Sequence, residues 1–305
     1  MKETPLRVAA AVVHYGPWAS TRAAVEALVK TAPSVSAVVV DNSEPNSTIE
    51  RAKVPAGVRV LSAGRNLGYG AACNLAARET VGDYLLLLNN DVEVEPGALE
   101  AMAAVLSAEP GVAAVGPRLL DSRRRPARSI FRAPTPRRVL FESLFLPRLF
   151  PGIPFFHGHY TAYTTHARAR DVESLSGAVV LVRRKAFEDV GGFDEGFFFY
   201  AEESDLFARL RRAGWRVRFE PAARAVHRGG VASAEVSQRD LDRRLRDGLR
   251  LYARRHHGPR GERRTSRAIA WGDRLRWALS LFQPGDAGRR RRRRYAENLR
   301  PSASR

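Results

Sequence analysis

The chain has one cysteine, Cys73, in 305 residues. A single thiol excludes a disulfide framework and any cysteine-based metal centre. Its alanine-rich helical surroundings suit a small buried apolar residue better than a nucleophile. The sequence also lacks any apolar run of about eighteen residues, so no segment is expected to span a membrane. The stretch before His14 is short and follows Lys2 and Glu3, so no secretory signal is expected, and the expected compartment is the cytoplasm. No Gly-Lys-Ser/Thr follows the glycine-rich turn at 64–70, which excludes a P-loop. Zinc-finger spacing, an RNP-like aromatic pattern and a basic-plus-heptad arrangement are all missing. No internal repeat is found.

Positive charge, by contrast, is plentiful and uneven. The net charge is +19, and residues 239–305 hold 21 arginines against 7 acids, a net of +14. The body of the chain is close to neutral, so the basic character belongs to the C-terminal end. An anionic partner is implied there. With no nucleic-acid motif to support that alternative, an anionic membrane surface is the expected partner and nucleic acid is not. Six consecutive arginines at 289–294 repel one another, so residues 283–305 are expected to be disordered. Before them, Trp271, Leu275, Leu279 and Phe282 recur at near-helical spacing, which fits either an interfacial helix or one packed on the rest of the protein.

Short β-rich runs at 6–13, 35–40, 58–61, 84–88 and 112–115 alternate with helical patterns at 18–31, 67–80 and 96–108. Pro96 suits the first turn of the last of these. Such alternation predicts an α/β fold, a mostly parallel central sheet with helices on both faces. Ligands of open sheets bind outside the carboxyl ends of the strands. His14, Asp41 and Asn89 to Asp91 all fall at those ends, around one crevice. Residues 117–172 are rich in Pro and Arg and break the rhythm, as functional loops do. Beyond them, strands are expected at 176–182, 215–219 and 223–227, and helices at 185–190, 202–213, 238–256 and 265–282.

Five motifs carry chemistry, and each also has a plainer reading. In VVVDNS at 38–43, the Asp41 carboxylate can accept the ring N–H of a pyrimidine or simply cap a turn. In GRNLGYGAACNLA at 64–76, the glycines let backbone N–H groups approach a diphosphate, although glycine-rich turns before helices are common. The leucine-rich strand of YLLLLNNDVEVEPGAL at 84–99 ends in Asn89, Asn90 and Asp91, which either hold a hard divalent cation or close the strand. In AEESDL at 201–206, three acids follow the aromatic run Phe197 to Tyr200. They suit a general base at the edge of a cleft wall, or an acidic first turn favoured by the helix dipole. In AVHRGGVAS at 225–233, His227 follows a strand and precedes two glycines.

In order and spacing, residues 6–233 resemble the inverting family 2 glycosyltransferases that extend bacterial rhamnan, galactan and O-antigen chains. That resemblance implies a GT-A-like fold with a domain over 1–238, its nucleotide-binding half at 1–116 and its acceptor half at 173–238, followed by a basic helical extension over 239–305. It assigns Asp41 to the nucleotide base. Asn66, Gly68 and Asn74 match the Asn-x-Gly-aromatic-Gly turn and the helix behind it, and with His14 and Asn90 they complete the donor set. Asp91 stands in the second acidic place of an Asp-x-Asp metal motif, with Asn89 in the first. His227 matches the His-x-Gly-Gly element that completes the metal site. Glu203 occupies the place of the catalytic base, normally Asp, while Asp194, Glu202 and Asp205 fall among acceptor-binding positions, with an Arg pair the alternative for Asp205 and a loop-holding role the alternative for Asp194. The implied cofactor is Mn²⁺ or Mg²⁺, and the implied substrates are a nucleotide-sugar donor, dTDP-rhamnose first and UDP-sugars next, and a glycan or lipid-linked glycan acceptor. A peripheral place at the inner face of the cell membrane follows. Two alternatives remain at this point: a basic nucleic-acid-binding α/β protein, which leaves the acids at 202–205 without purpose, and a non-catalytic sugar-nucleotide binder, suggested by Asn89 and Glu203.

Overall fold

A computed structural model describes residues 7–43, 45–160, 167–229 and 236–299. Two compact units make up the chain, residues 1–131 with 162–237 and residues 132–161 with 238–305. The long C-terminal extension therefore groups with a piece of the aperiodic middle segment, which the expected boundary at 238 did not include.

In the first unit the chain alternates β1 (Val8–His14), α1 (Trp18–Thr31), β2 (Ser36–Asp41), β3 (Arg59–Ser62), α2 (Tyr69–Arg78), β4 (Tyr84–Asn89), β5 (Val92–Val94), α3 (Ala98–Ala108) and β6 (Val112–Leu120). After β7 (Ile130–Phe131), and beyond the second unit's insertion, come β8 (Arg170–Asp171), β9 (Ser174–Leu175), β10 (Val179–Arg183), α6 (Arg184–Asp189), α7 (Glu202–Arg212) and β11 (Arg216–His227). The main sheet runs β3-β2-β1-β4-β10-β6-β11-β5, with β8 beside β11, and β7 and β9 form a separate pair. The strands β3, β2, β1 and β4 pair in parallel, as do β6 and β11, whereas β10 enters antiparallel between β4 and β6, and β5 and β8 pair antiparallel with β11. The two strands expected at 215–219 and 223–227 are one long strand, whose register shifts between Glu220 and Arg224.

Alternation along the strands explains why both faces are covered. Val8, Ala10, Val12, Leu86 and Leu88 join one core with Trp18 and Leu28 of α1 and Met102 and Leu106 of α3. Ala9, Ala11, Val13, Leu85 and Leu87 join the other with Ala72 and Ala76 of α2 and Leu206 and Leu210 of α7. Each buried leucine contributes about 1.5–3 kcal/mol, so the Leu85–Leu88 run anchors the sheet from both sides. Cys73 lies wholly inside the second core, where burial raises its thiol pKa, as befits a packing residue.

The second unit contains α4 (Pro136–Ser143), α5 (Leu146–Leu149), α8 (Gln238–Leu281) and α9 (Gly285–Leu299). Thr135 caps α4 by accepting from the Arg138 N–H. Gly258, with φ 65° and ψ −172°, divides α8 just before Pro259. The expectation of disorder over 283–305 is corrected over Gly285–Leu299 by α9, which contains all six arginines, while residues 300–305 lie outside the described residues. Arg294 pairs with Asp242, and Arg292 donates to the Ser280 carbonyl, so these charges are offset locally. Among the described residues no helix is long and apolar enough to cross a membrane.

Candidate active site

Strand register sets the first half of the site. His14 stands opposite Asp41 across β1 and β2, and Val13 stands opposite Asn89 across β1 and β4. The order of strands reverses between β1 and β4, which is where a crevice opens in such sheets. Asp41 is buried, and its Oδ1 accepts from the Ser43 N–H at 3.2 Å and the Ser43 hydroxyl at 2.8 Å. Ser47 donates to its other oxygen. An ionised carboxylate offers about four acceptor directions, so one remains.

Several residues expected to touch the donor have their polar atoms committed within the fold. His14 is fully buried, with Nδ1 at 2.7 Å from Thr21 Oγ1 and Nε2 at 3.2 Å from Thr48 Oγ1. Burial lowers its pKa, partly opposed by the charge of Asp41, so the ring is a neutral brace. The Asn90 amide donates to the Tyr15 carbonyl at 2.8 Å and to Thr21 Oγ1 at 3.2 Å. Asn74 donates to the Phe193 carbonyl at 2.9 Å and to Glu195 at 3.0 Å, and accepts from the Phe193 N–H at 2.9 Å. These three side chains shape the crevice by fixing its loops.

The glycine-rich turn is locked the same way. Asn42 donates to Asn66 Oδ1 at 3.2 Å and accepts from the Leu67 N–H at 2.7 Å, while Asn66 accepts from the Gly68 N–H at 3.0 Å. Gly68 has φ 86°, and a Cβ there would overlap the Phe198 carbonyl. The Tyr69 N–H donates to that same carbonyl at 3.2 Å, so the turn leans against the aromatic wall. Replacing Gly68 by Ala combines a left-handed backbone with a clash against main chain. It is expected to destabilise the protein by about 2 kcal/mol or more, measured by urea unfolding, and an unchanged midpoint would contradict the close approach.

Asp91 and His227 meet as expected, with the imidazole Nε2 at 3.2 Å from Asp91 Oδ1. Antiparallel pairing of β5 with β11 sets this contact, since His227 lies opposite Val92. Arg228 reinforces it by donating its N–H to the Asp91 carbonyl at 3.0 Å. Gly230, the second glycine of that motif, lies outside the described residues. No group of three or more His, Cys, Asp or Glu side chains suited to a metal occurs among the described residues. One carboxylate and one imidazole still fit a divalent cation whose other ligands are diphosphate oxygens and water, the usual arrangement for Mg²⁺ in nucleotide enzymes.

The acidic cluster begins α7. Tyr200 and Ala201, at φ 74° and 70°, are consecutive non-glycine residues in the left-handed region directly before it. Strain of this kind concentrates at functional sites, and neither residue type announces it. Glu202 is buried, and its Oε2 has no hydrogen-bond partner. Burial first, and then the Glu203 charge, raise the Glu202 pKa well above the usual carboxylate range. Glu203 is part-exposed, and desolvation raises its pKa to about 7. Two neighbouring carboxyls driven apart in this way divide into a neutral acid and a base ready near neutral pH. Asp205 takes the arginine-paired alternative. It is buried against Arg209, which donates from Nε at 2.8 Å and also reaches the Val190 carbonyl, so it holds α7 to the preceding turn. Asp194 accepts from the Gly196 N–H at 2.9 Å and closes the turn before the aromatic wall.

The short link before β10 joins the two clusters. The Asn89 N–H donates to the Ala178 carbonyl at 2.9 Å, tying the end of β4, two residues before Asp91, to that link. Gly177 lies against Glu203, where a Cβ would sit 3.5 Å from the Glu203 Cβ, and its carbonyl accepts from the Tyr69 hydroxyl at 2.9 Å. The motif reading holds Tyr69 only as the aromatic of its glycine-rich turn and passes over Gly177, because their contact arises from the antiparallel insertion of β10.

Comparison with known proteins agrees with this geometry. The family model described as glycosyl transferase family 2 matches residues 10–191, and one described as the N-terminal domain of galactosyltransferase matches residues 157–229. The chain is 31% identical over 258 residues to the N-acetylglucosaminyl-diphospho-decaprenol L-rhamnosyltransferase of Mycobacterium tuberculosis, covering 80% of each chain. Its fold is similar to that of the mannosyltransferase PcManGT from Pyrobaculum calidifontis, solved with GDP-Man and Mn²⁺, at TM-score 0.58 and 14% identity over 94% of this chain and 79% of that one. It is similar also to GalNAc-T7, solved with UDP, GalNAc and Mn²⁺, at TM-score 0.56 and 16% identity over 93% of this chain and 59% of that one.

Proposed function

The chain belongs to glycosyl transferase family 2 and is a glycosyltransferase of GT-A fold, and from that premise we propose that it transfers a sugar, with inversion, from a nucleotide-diphosphate donor to a hydroxyl of a lipid-linked glycan. The observation that supports this reading is the tie between clusters, in which one short link receives the Asn89 N–H through Ala178 and lies against Glu203 through Gly177. Glu203 takes the acceptor proton as the hydroxyl attacks the anomeric carbon. Attack from the face opposite the leaving diphosphate inverts the configuration. Neutral Glu202 keeps a second negative charge from Glu203, and Arg209 keeps Asp205 from competing as base. Asp91 and His227 would hold a divalent cation, Mn²⁺ or Mg²⁺, which when bound offsets charge on the leaving diphosphate.

The donor is dTDP-rhamnose, with UDP-sugars next. The remaining acceptor direction on Asp41 and the rhamnosyl transfer in the name of the mycobacterial relative support this. That relative's name also supports an acceptor in which a sugar is joined through a diphosphate to a polyprenyl lipid. In a thermal unfolding screen with Mn²⁺, thymidine and uridine diphosphates are expected to raise Tm and ADP to leave it unchanged. A ligand at a hundred times its Kd stabilises by about 2.7 kcal/mol, enough to read. Stabilisation by ADP alone would contradict a pyrimidine donor.

Such an acceptor places the enzyme at a membrane surface. In the second unit Leu149, Phe155, Trp271, Leu281 and Phe282 are exposed, and the arginines of α9 accompany them. Aromatic and aliphatic side chains beside basic residues suit an anionic leaflet, where each basic residue near the surface contributes about 1 kcal/mol. Binding to anionic vesicles is expected to weaken when residues 283–305 are deleted and to fall as salt rises, while transfer to a soluble acceptor persists. Equal vesicle binding by the truncated and full-length proteins would defeat this role.

A further inference from the structure

The second unit holds a cavity of about 280 Å³ whose lining includes Phe145, Arg148, Arg246, Asp273, Arg276 and Arg294. Its volume falls just below the range of about 300–1,000 Å³ typical of pockets for drug-sized ligands, so it suits a compact headgroup. Two of the arginines are neutralised in place. Arg246 pairs with Asp273 at 3.0 Å, and Arg294 pairs with Asp242. The third carboxylate of the lining, Glu142, accepts from the Tyr160 N–H at 2.9 Å.

Arg148 and Arg276 are different. Both guanidinium groups sit over the ring of Phe145, at 5.8 Å and 4.6 Å from its centroid. Arg276 also donates to the Ser143 carbonyl at 3.3 Å, and Arg148 has no carboxylate partner among the described residues. Two like charges on one ring repel, and burial together with Arg246 and Arg148 lowers the Arg276 pKa, against the pull of Asp273. Burial raises the carboxyl pKa of Asp273, opposed by Arg246 and Arg276, and its hydrogen-bonded partner is Arg246. Phe145 itself is a non-glycine residue at φ 60°, a strained conformation of the kind found at ligand clamps.

We propose that this cavity binds a phosphate or diphosphate group, with Arg148 and Arg276 as its anchors. A planar guanidinium presents paired N–H donors that match phosphate oxygens, and a multivalent anion offsets both charges at once, which a single carboxylate does not. The site is independent of Asp91, His227 and Glu203 and of the transfer reaction assigned to them. The group can arrive on a lipid or as free phosphate, and the same chemistry recognises both.

Calorimetric titration of the full chain, in EDTA and at moderate salt, tests this with inorganic pyrophosphate and with geranyl diphosphate. Saturable binding at one site is expected. Loss of a hydrogen-bonded charged partner weakens it at least about tenfold in Arg148→Gln and in Arg276→Gln. The exposed α8 variant Arg260→Gln is the control for non-specific attraction to the basic unit and is expected to bind as the wild type does. If Arg276→Gln does not fold, Arg148→Gln at its exposed position carries the test. Binding of both probes identifies a lipid headgroup and binding of pyrophosphate alone identifies free phosphate, and either upholds the site. No saturable binding, or equal affinity in Arg148→Gln and wild type, would overturn it.

Discussion

Glu203→Gln is expected to lower turnover at least about a hundredfold, the usual scale for a general base, while the protein folds and binds its donor with near-normal affinity. Glutamine keeps the size and loses the proton acceptor. Because desolvation raises the Glu203 pKa to about 7, wild-type turnover is expected to rise with pH through that value, and the variant is expected to lack this limb. Stability moves the opposite way. A carboxyl whose folded pKa lies above its unfolded value contributes stability that is present below the unfolded value, 4.5, and is lost as pH rises through about 7. Glu203→Gln is therefore expected to gain in Tm relative to wild type on the alkaline side and not on the acid side. If Glu202→Gln produced the kinetic loss while Glu203→Gln stayed active, the base would be Glu202.

Asp91→Ala is expected to lose transfer by about a thousandfold or more, since charge stabilisation by a cation contributes several kcal/mol. Its nucleotide binding is expected to become insensitive to Mn²⁺, because His227 alone is a poor site. Asp91 approaches His227 at 3.2 Å, with no larger cluster of metal-binding side chains among the described residues, so no neighbouring carboxylate substitutes for it. Thermal unfolding with a pyrimidine diphosphate, with and without Mn²⁺, separates lost metal binding from lost folding. Full activity of the variant, or of the wild type in EDTA, would contradict the assignment.

The parallel core was legible because strand and helix periods alternate clearly through residue 116, and α1 begins and ends where its pattern does. The pairing of Asp91 with His227 was legible only through the family resemblance, since β11 returns from far along the chain to lie beside β5. Hydrogen-bond bookkeeping was not legible. Nothing in local sequence says that His14 is held by Thr21 and Thr48 or that Asn74 serves the Phe193 turn, whereas the i, i+4 spacing of Asp205 and Arg209 made their pairing one of the expected alternatives. The left-handed pair Tyr200 and Ala201 was hidden because neither residue type favours that conformation; the surrounding packing imposes it. The arginine run was misread as disordered because charge repulsion was weighed without Asp242 and the carbonyl acceptors that receive Arg294 and Arg292.

The most direct measurement is the anomeric configuration of the product, read by NMR after transfer from dTDP-rhamnose to a short-chain prenyl-diphospho-N-acetylglucosamine. Displacement with Glu203 as base and diphosphate as leaving group predicts a glycoside of configuration opposite to the donor's, formed by the wild type and not detectably by Glu203→Gln over the same interval. A product that keeps the donor's configuration, or one formed equally well by the variant, would contradict the account.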